Sequence, residues 1–386
     1  MNTTSPVKEA NVFEVNNAAD RLNNFAARLN DSQFMPKDDP DGSMAIELIK
    51  AERLSKKLKT EIRDIKNPTR QEVKMLVDLY YQMQDNRKAL RTQISAIESD
   101  ESKKHNVQIL DWCLKNSAIL ESGVNDVLQI ICESSEVGRW LLSIVGIGPV
   151  LAAGCLAYFD VEGKEYATQF ISYAGLNDNN RPFIGRKGAE AIMSELVPPN
   201  SKTPITDDIV AQYAIKTQWG FEYLRDKAWN DEKQKWSKSD LIAAAAKIPY
   251  NANLKTLCWK IGSSFQWQCN NPKSLYGTLF SQRRIQEIAN NEAGKYADQA
   301  AHILATKNIG KNTTAYKEYS QGKLPKAHIN ARAMRWAEKL FLSHYFVECY
   351  RVRYGKNPPR YYSLEHCPGH HKDIEPEVPY TPIAGE

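Results

Sequence analysis

Arg139-Trp140-Leu141-Leu142-Ser143-Ile144-Val145-Gly146-Ile147-Gly148-Pro149-Val150-Leu151-Ala152-Ala153-Gly154-Cys155-Leu156-Ala157-Tyr158-Phe159 is the densest signal in the chain. It reads as a short helix, two glycines flanking one apolar residue, and a second helix rich in Ala and Gly, which is a helix-hairpin-helix arrangement. Glycines at 146 and 148 admit positive φ and let main-chain N–H groups come close to a phosphate oxygen, while Ile147 fills the space between the helices. Pro149 suits the first turn of the second helix, whose positive dipole end then faces an anion. Ala152, Ala153 and Gly154 allow close helix approach. Contacts of this kind fix a protein on a nucleic-acid backbone without reading bases. The competing reading is a tight interhelical turn with no ligand.

Upstream of the hairpin, residues 1–42 lack sustained periodicity and end in the turn-rich Pro36-Lys37-Asp38-Asp39-Pro40-Asp41-Gly42, so they read as a flexible arm. A basic helix runs from Ser43 to about Lys66 and breaks at Asn67-Pro68. The next helix opens at Thr69 with Glu72 three residues on, the capping-box pattern. Its apolar positions Val73, Leu76, Tyr80, Met83, Leu90, Ile94 and Ile97 step by three and four, interrupted by Arg87. A second series runs from Leu110 through Cys113, Leu120, Val124 and Val127 to Ile131, with Gly123 as its break. Residues 43–134 therefore read as a helical hairpin packed within one chain or as a dimerising coiled coil.

Downstream, Tyr166 to Leu176 forms a short helix ending at Gly175, followed by a polar loop, Asn177 to Gly188, that carries Arg181, Arg186 and Lys187. The hairpin domain is taken as 135–196. Residues 197–249 form an inserted helical subdomain bearing Trp219, Trp229 and Trp236. Residues 250–366 are again helical: Leu254 to Ile261 is apolar on one side and basic on the other, and Leu324 to Tyr354 fits one long amphipathic helix. That helix carries Ile329, Ala333, Trp336, Leu340, Phe341, Tyr345 and Val347 inward and Arg332, Arg335, Lys339, Arg351 and Arg353 elsewhere. The Pro- and acid-rich residues 367–386 read as a flexible tail. The fold class is all-α.

Composition limits the partners. With 386 residues, 42% of them hydrophobic, the chain fills real cores, and its net charge of +5 neither demands nor excludes a polyanion. Local clusters matter more: Lys50, Arg53, Lys56, Lys57, Lys59, Arg63, Lys66 and Arg70 form one candidate phosphate-facing surface, and the basic, aromatic stretch from Lys323 to Arg360 forms another. No apolar run approaches the roughly 20 residues of a bilayer-spanning helix, and no signal peptide is evident at the start, so a cytoplasmic location without membrane contact is expected. Seven scattered cysteines look like reduced core thiols.

From Leu142 to Pro149, Ala152 to Leu156 and Phe170 to Leu176 the chain resembles the C-terminal domain of the transposases of insertion sequences 110, 116 and 902, with Val145 where that family usually has proline. Asn253-Leu254-Lys255 and Leu324 to Phe341 extend the likeness more loosely. The resemblance implies DNA binding in transposition or recombination, with RNA as a second candidate partner, and the heptad series point to self-association. It also marks two departures. The family's N-terminal RuvC-like domain, with its metal-holding acidic tetrad, has no counterpart in the strand-free residues 1–104. The family's serine nucleophile after the Tyr-Ala-Gly-Leu helix is missing from Asn177 to Gly188, and Ser194, Ser201, Ser263 and Ser264 are the nearest serines.

Other constellations carry little. His366-Cys367-Pro368-Gly369-His370-His371 lacks a second ligand pair for zinc, and His328 and His344 stand too far apart on one helix to share a site. No cofactor is expected, Mg2+ entering only with a nuclease site. The candidate DNA-binding residues are Gly146, Ile147, Gly148, Val150, Arg181, Arg186, Lys187, Lys255, Arg332 and Arg335. The alternative is a non-catalytic relative that acts as a structural or guide-RNA-binding protein.

Overall fold

Residues 68–99, 107–177, 183–199, 203–359 and 374–383 are described by the computed structural model, and they form fourteen helices and one two-stranded ribbon. The chain is all-α, as its periodicity predicts. The arm 1–42, the basic helix ending near Lys66, Arg181, Ser201 and the His366–His371 cluster lie outside the described residues. Among the described residues no helix is long and apolar enough to cross a membrane.

The chain divides into two units, and the division falls inside the hairpin: residues up to Ser143 and Ile147–Phe159 belong to the first, Ile144–Gly146 and everything from Asp160 onward to the second. In the first unit, helix α1 (Arg70–Glu98) starts as expected. The Thr69 hydroxyl accepts from the Glu72 amide at 3.3 Å and the Glu72 carboxylate accepts from the Thr69 amide at 2.7 Å. Helix α2 (Val107–Glu133) packs along α1. The buried seam comprises Val73, Val77 and Ile94 on α1 and Ile119, Val124, Val127, Leu128 and Ile131 on α2. Leu120, expected inside, is 44% exposed, and its neighbour Ile119 is inside. Arg87 does not break the seam. Its guanidinium donates to both oxygens of the Glu121 carboxylate, at 2.6 and 3.1 Å.

Helix α3 (Glu136–Ser143) follows α2 through a turn so tight that a Cβ at Gly138 would sit 2.1 Å from the Cys132 carbonyl oxygen. Helix α4 (Pro149–Tyr158) then packs against α1, α2 and α3. Its small residues explain that: Ala152, Ala153 and Cys155 are fully buried, and their short side chains let the neighbouring helices come close.

In the second unit, α5 (Ala167–Tyr173) ends at Gly175, which has φ +66; a Cβ there would meet the Tyr250 ring at 2.5 Å. Helices α6 (Gly185–Leu196), α7 (Asp207–Thr217), α8 (Phe221–Ala228) and α9 (Lys238–Ala245) enclose a core of their own around Met193, Tyr213, Leu224, Trp236 and Leu241. This core reaches back to Ala189, before the expected subdomain boundary at residue 197. Within it lies the ribbon, β1 (Trp229–Asn230) and β2 (Lys235–Trp236), where periodicity suggested only helix; cross-strand Trp229 and Trp236 rings 5.2 Å apart hold it.

The rest of the unit comprises α10 (Ala252–Trp267), α11 (Leu275–Glu292), α12 (Ala297–Thr306), α13 (Thr314–Ser320) and α14 (Lys326–Tyr354). Helix α14 packs against α5, α10 and α11 through Phe170, Phe265, Tyr276, Phe341, Tyr345 and Phe346, whose rings meet edge-on, tilted or stacked. Because α14 is enclosed by several neighbours, one apolar stripe does not describe it: Trp336, Leu340 and Val347 are half-buried, whereas Glu338, His344, Glu348 and Arg351 are buried.

Those buried polar groups hold residues 374–383. The His344 Nε2 donates to the Ile374 carbonyl at 2.8 Å, and its Nδ1 lies 2.8 Å from the Tyr276 hydroxyl. Arg351 donates twice to the Thr381 carbonyl, at 3.0 and 2.9 Å, and the Thr381 amide donates to Glu348 at 2.9 Å. The expectation of a flexible tail is therefore corrected for 374–383. Pro376, Pro379 and Pro382 keep the segment out of helix, and α14's buried side chains replace the hydrogen bonds a helix would have made.

Candidate nucleic-acid interface

The bend between α3 and α4 is built by two different glycines. Gly146 has φ +98, and a Cβ on it would lie 3.0 Å from the Ser264 hydroxyl and 3.3 Å from Gln268 Cγ, so both conformation and space require glycine. Gly148 does not share that conformation, contrary to expectation. It is the N-cap of α4 with φ −87 and ψ 177, exposed, and a Cβ there would touch nothing within 4 Å. Ile147 is buried, as the plug reading requires. Val150 is buried too, so its side chain is withdrawn from any surface contact. Among the described residues nothing bonds the amides of Val150 and Leu151, two of the first-turn N–H groups that a helix leaves over.

The other side of the bend is engaged. The Gly146 carbonyl accepts from the Ser264 hydroxyl at 2.6 Å. The Val145 amide donates to one oxygen of Glu377 at 2.6 Å, and the Leu275 amide donates to the other at 2.7 Å. Leu275 is the first residue of α11, so its N–H is again a first-turn donor at a positive helix end. A tail carboxylate thus bridges two main-chain amides from separate elements.

The predicted cations fall into different settings. Arg186 pairs with Glu190 at 2.9 Å on an exposed face of α6, a pair of little energetic weight, and Lys187 beside it is exposed. Arg332 is corrected from a DNA contact to an internal one. Its guanidinium donates to the buried Glu287 carboxylate at 2.8 Å and lies 4.3 Å over the Tyr296 ring. Arg283 donates to the other oxygen at 2.6 Å. Burial alone would raise the Glu287 pKa, but hydrogen bonds from Tyr296, Arg332 and Arg283 outweigh it and hold the carboxyl below its ordinary range.

Lys255 and Arg335 are brought together with Lys339 around Glu338. Burial pushes this carboxyl up to about 8, against the opposing pull of Arg335, Lys339 and Lys255. Lys255 lies 4.2 Å over the Tyr250 ring, and Arg335 is exposed with no ion pair among the described residues.

Nucleophile and metal candidates are thinner. Ser264 is committed to Gly146, and the Ser194 hydroxyl donates to the Glu190 carbonyl. Among the described residues no three His, Cys, Asp or Glu side chains converge to hold a metal ion. Burial raises the Cys132 thiol to about 12 and lifts Cys258 as well, which leaves both unreactive.

Compared with protein-family models, with curated proteins and with solved structures, the chain finds no match. The geometry of the site adds three residues the sequence left unmarked: Glu377, and the exposed Trp259 and Trp267. The two tryptophans were within reach of a helical wheel, since Leu254, Leu257, Cys258 and Ile261 define a buried face that excludes them. Glu377 had no comparable signal, because its partners are main-chain amides.

Proposed function

We propose that this chain is a DNA-binding protein that holds the phosphate backbone at the α3–α4 hairpin, and that it serves the movement or recombination of DNA, as the resemblance to the transposases implies. The observation that carries the reading is the Glu377 carboxylate on the Val145 amide: this bend has the chemistry to hold an oxyanion. The unbonded amides of Val150 and Leu151 at the start of α4, next to an exposed Gly148, add donors with the dipole sign a phosphodiester needs. Lys187 supplies exposed charge in the second unit. Binding of this type is electrostatic and falls steeply with salt.

Substituting Gly148→Asp tests the proposal without disturbing the fold. The φ and ψ of Gly148 suit an N-capping aspartate, and nothing crowds its Cβ, so α4 gains a cap and stability holds or rises. The added carboxylate competes for the same amides and repels a phosphate. Duplex DNA affinity is expected to drop at least tenfold at moderate salt while the melting temperature holds. Unchanged affinity in this variant, or a wild-type affinity with no salt dependence, rejects the hairpin as the contact. A parallel titration with structured RNA decides between DNA and RNA as the partner.

A further inference from the structure

Residues 374–383 follow α14 from His344 to Arg351 without entering a core. None of them is fully buried, and Pro376, Pro379 and Pro382 remove three backbone donors, so no helix or strand ladder locks the segment in place. Polar anchors hold it instead. The Ile374 carbonyl meets His344 Nε2 at 2.8 Å, and the Glu377 carboxylate takes the Val145 and Leu275 amides. The Thr381 amide and hydroxyl donate to the two oxygens of Glu348, at 2.9 and 2.5 Å, and the Thr381 carbonyl accepts twice from Arg351. A segment with so little buried apolar surface opens at a free energy well below that of global unfolding. Opening strands no charge on α14, because Glu348 and Arg351 stand three residues apart on one face of the helix, opposite in sign, and can pair with each other once the segment leaves.

The middle anchor reaches the bend between α3 and α4. A carboxylate carries one negative charge over two oxygens on one carbon, and a phosphodiester carries one over two non-bridging oxygens on one phosphorus. Glu377 sets its two oxygens on amides from separate elements, at 2.6 and 2.7 Å, which is the contact a backbone phosphate would make there. Leu275 opens α11, whose positive end favours either anion. The two anions exclude each other. We propose that residues 374–383 are an autoinhibitory strap, in which Glu377 holds the place of a phosphate on the Val145 and Leu275 amides until a nucleic-acid backbone displaces it and the strap lifts from α14. The proposal rests on the phosphate-backbone reading of the hairpin, and adds to it a second donor, Leu275, and a competitor carried by the same chain. Such a competitor lowers affinity in proportion to the fraction of molecules with the strap open, so loosening the strap tightens binding.

The test loosens the strap at the end away from the bend. Thr381 is four residues from Glu377 and bonds to α14, so a change there alters the strap and leaves both amides as they are. In the full chain, Thr381→Asp sets a second carboxylate against Glu348 and is expected to tighten binding of labelled duplex DNA about fivefold, the opposite of what an added negative charge does by itself. Thr381→Val, which loses only the hydroxyl bond, is expected to tighten it about twofold. Hydrogen exchange at the Thr381 amide gives a readout that a purely structural tail would not move. In wild type it is expected to speed up about tenfold when duplex saturates the protein, because the Glu348 acceptor is lost. The proposal is overturned if Thr381→Asp, shown to be folded by circular dichroism, binds duplex no tighter than wild type, or if the Thr381 amide is as protected with duplex as without it. The exchange measurement needs no variant, so it decides even where Thr381→Asp fails to fold. If neither wild type nor the Thr381 variants bind duplex, the hairpin reading fails and the strap with it. Duplex binding that is lost in Gly148→Asp, in a chain whose Thr381 stays protected, keeps the hairpin and rejects the strap alone.

Discussion

Glu377 and Val145 stand 232 residues apart in sequence and are joined by a 2.6 Å hydrogen bond from main-chain amide to carboxylate. The same carboxylate takes the Leu275 amide at 2.7 Å, so one side chain satisfies donors that would otherwise face water at a bend and a helix start. Where a phosphodiester uses the Val145 amide, Glu377 is its competitor.

Replacing Glu377 with alanine should therefore act in two directions. Stability falls by about 1–3 kcal/mol, the usual worth of hydrogen bonds to a charged acceptor. Duplex affinity rises about threefold or more as the amides are released and a negative charge leaves. Amide hydrogen exchange at Val145 and Leu275 should speed up in the variant without DNA and slow again when DNA is added. Faster exchange with no gain in affinity would show that Glu377 only anchors the tail.

The two hairpin glycines should separate in a stability measurement. Gly146→Ala must hold an L-residue at φ +98 and push a methyl group against Ser264 and Gln268, a cost of roughly 1–3 kcal/mol. Gly148→Ala meets neither obstacle and should cost a few tenths of a kcal/mol or gain slightly. Equal losses in urea unfolding would contradict the different roles assigned to them.

The contrast shows what the sequence made legible. Local patterns survived because they depend on neighbours in the chain: the Thr69 and Glu72 box, Pro149 in the first turn of α4, the small-residue face of α4, and the helix closing at Gly175. Long-range pairings did not. Arg87 read as a fault in an apolar seam because Glu121, its partner, lies on another helix. Arg332 and Arg351 read as surface charge because Glu287 and the Thr381 carbonyl are invisible to periodicity. Basic residues on a long helix look alike in sequence, and only the packing separates those that bind the protein's own carboxylates and carbonyls from Arg335, which is exposed.

Arg332 and Arg335 give a direct test of that separation. Arg332→Ala leaves Glu287 buried with part of its hydrogen bonding gone and should lower stability by about 3 kcal/mol, in the range for breaking a buried pair. Its effect on the salt slope of DNA binding should be nil. Arg335→Ala should do the reverse, with stability kept and the salt slope of DNA binding reduced. The Glu287 carboxyl, held below its ordinary range, contributes stability that is present above pH about 4.5 and lost as pH falls through its lowered value. Acid unfolding in Arg332→Ala should accordingly begin at higher pH than in wild type.

Glu338 works in the opposite sense. Its carboxyl titrates at about 8 when folded, against 4.5 in the ordinary state, because burial against Gly262 disfavours the charged form. A group raised in this way contributes its full stability below pH about 4.5, loses it progressively between 4.5 and about 8, and contributes none of it above. At about 1.4 kcal/mol per pKa unit the loss amounts to a few kcal/mol. Glu338→Gln keeps the shape and removes the titration, so the difference in stability between variant and wild type should favour the variant by that amount at pH 9 and shrink toward zero or reverse at pH 5. Urea midpoints at the two pH values measure it. Parallel pH profiles for the two proteins would mean that the carboxyl is hydrated in the fold.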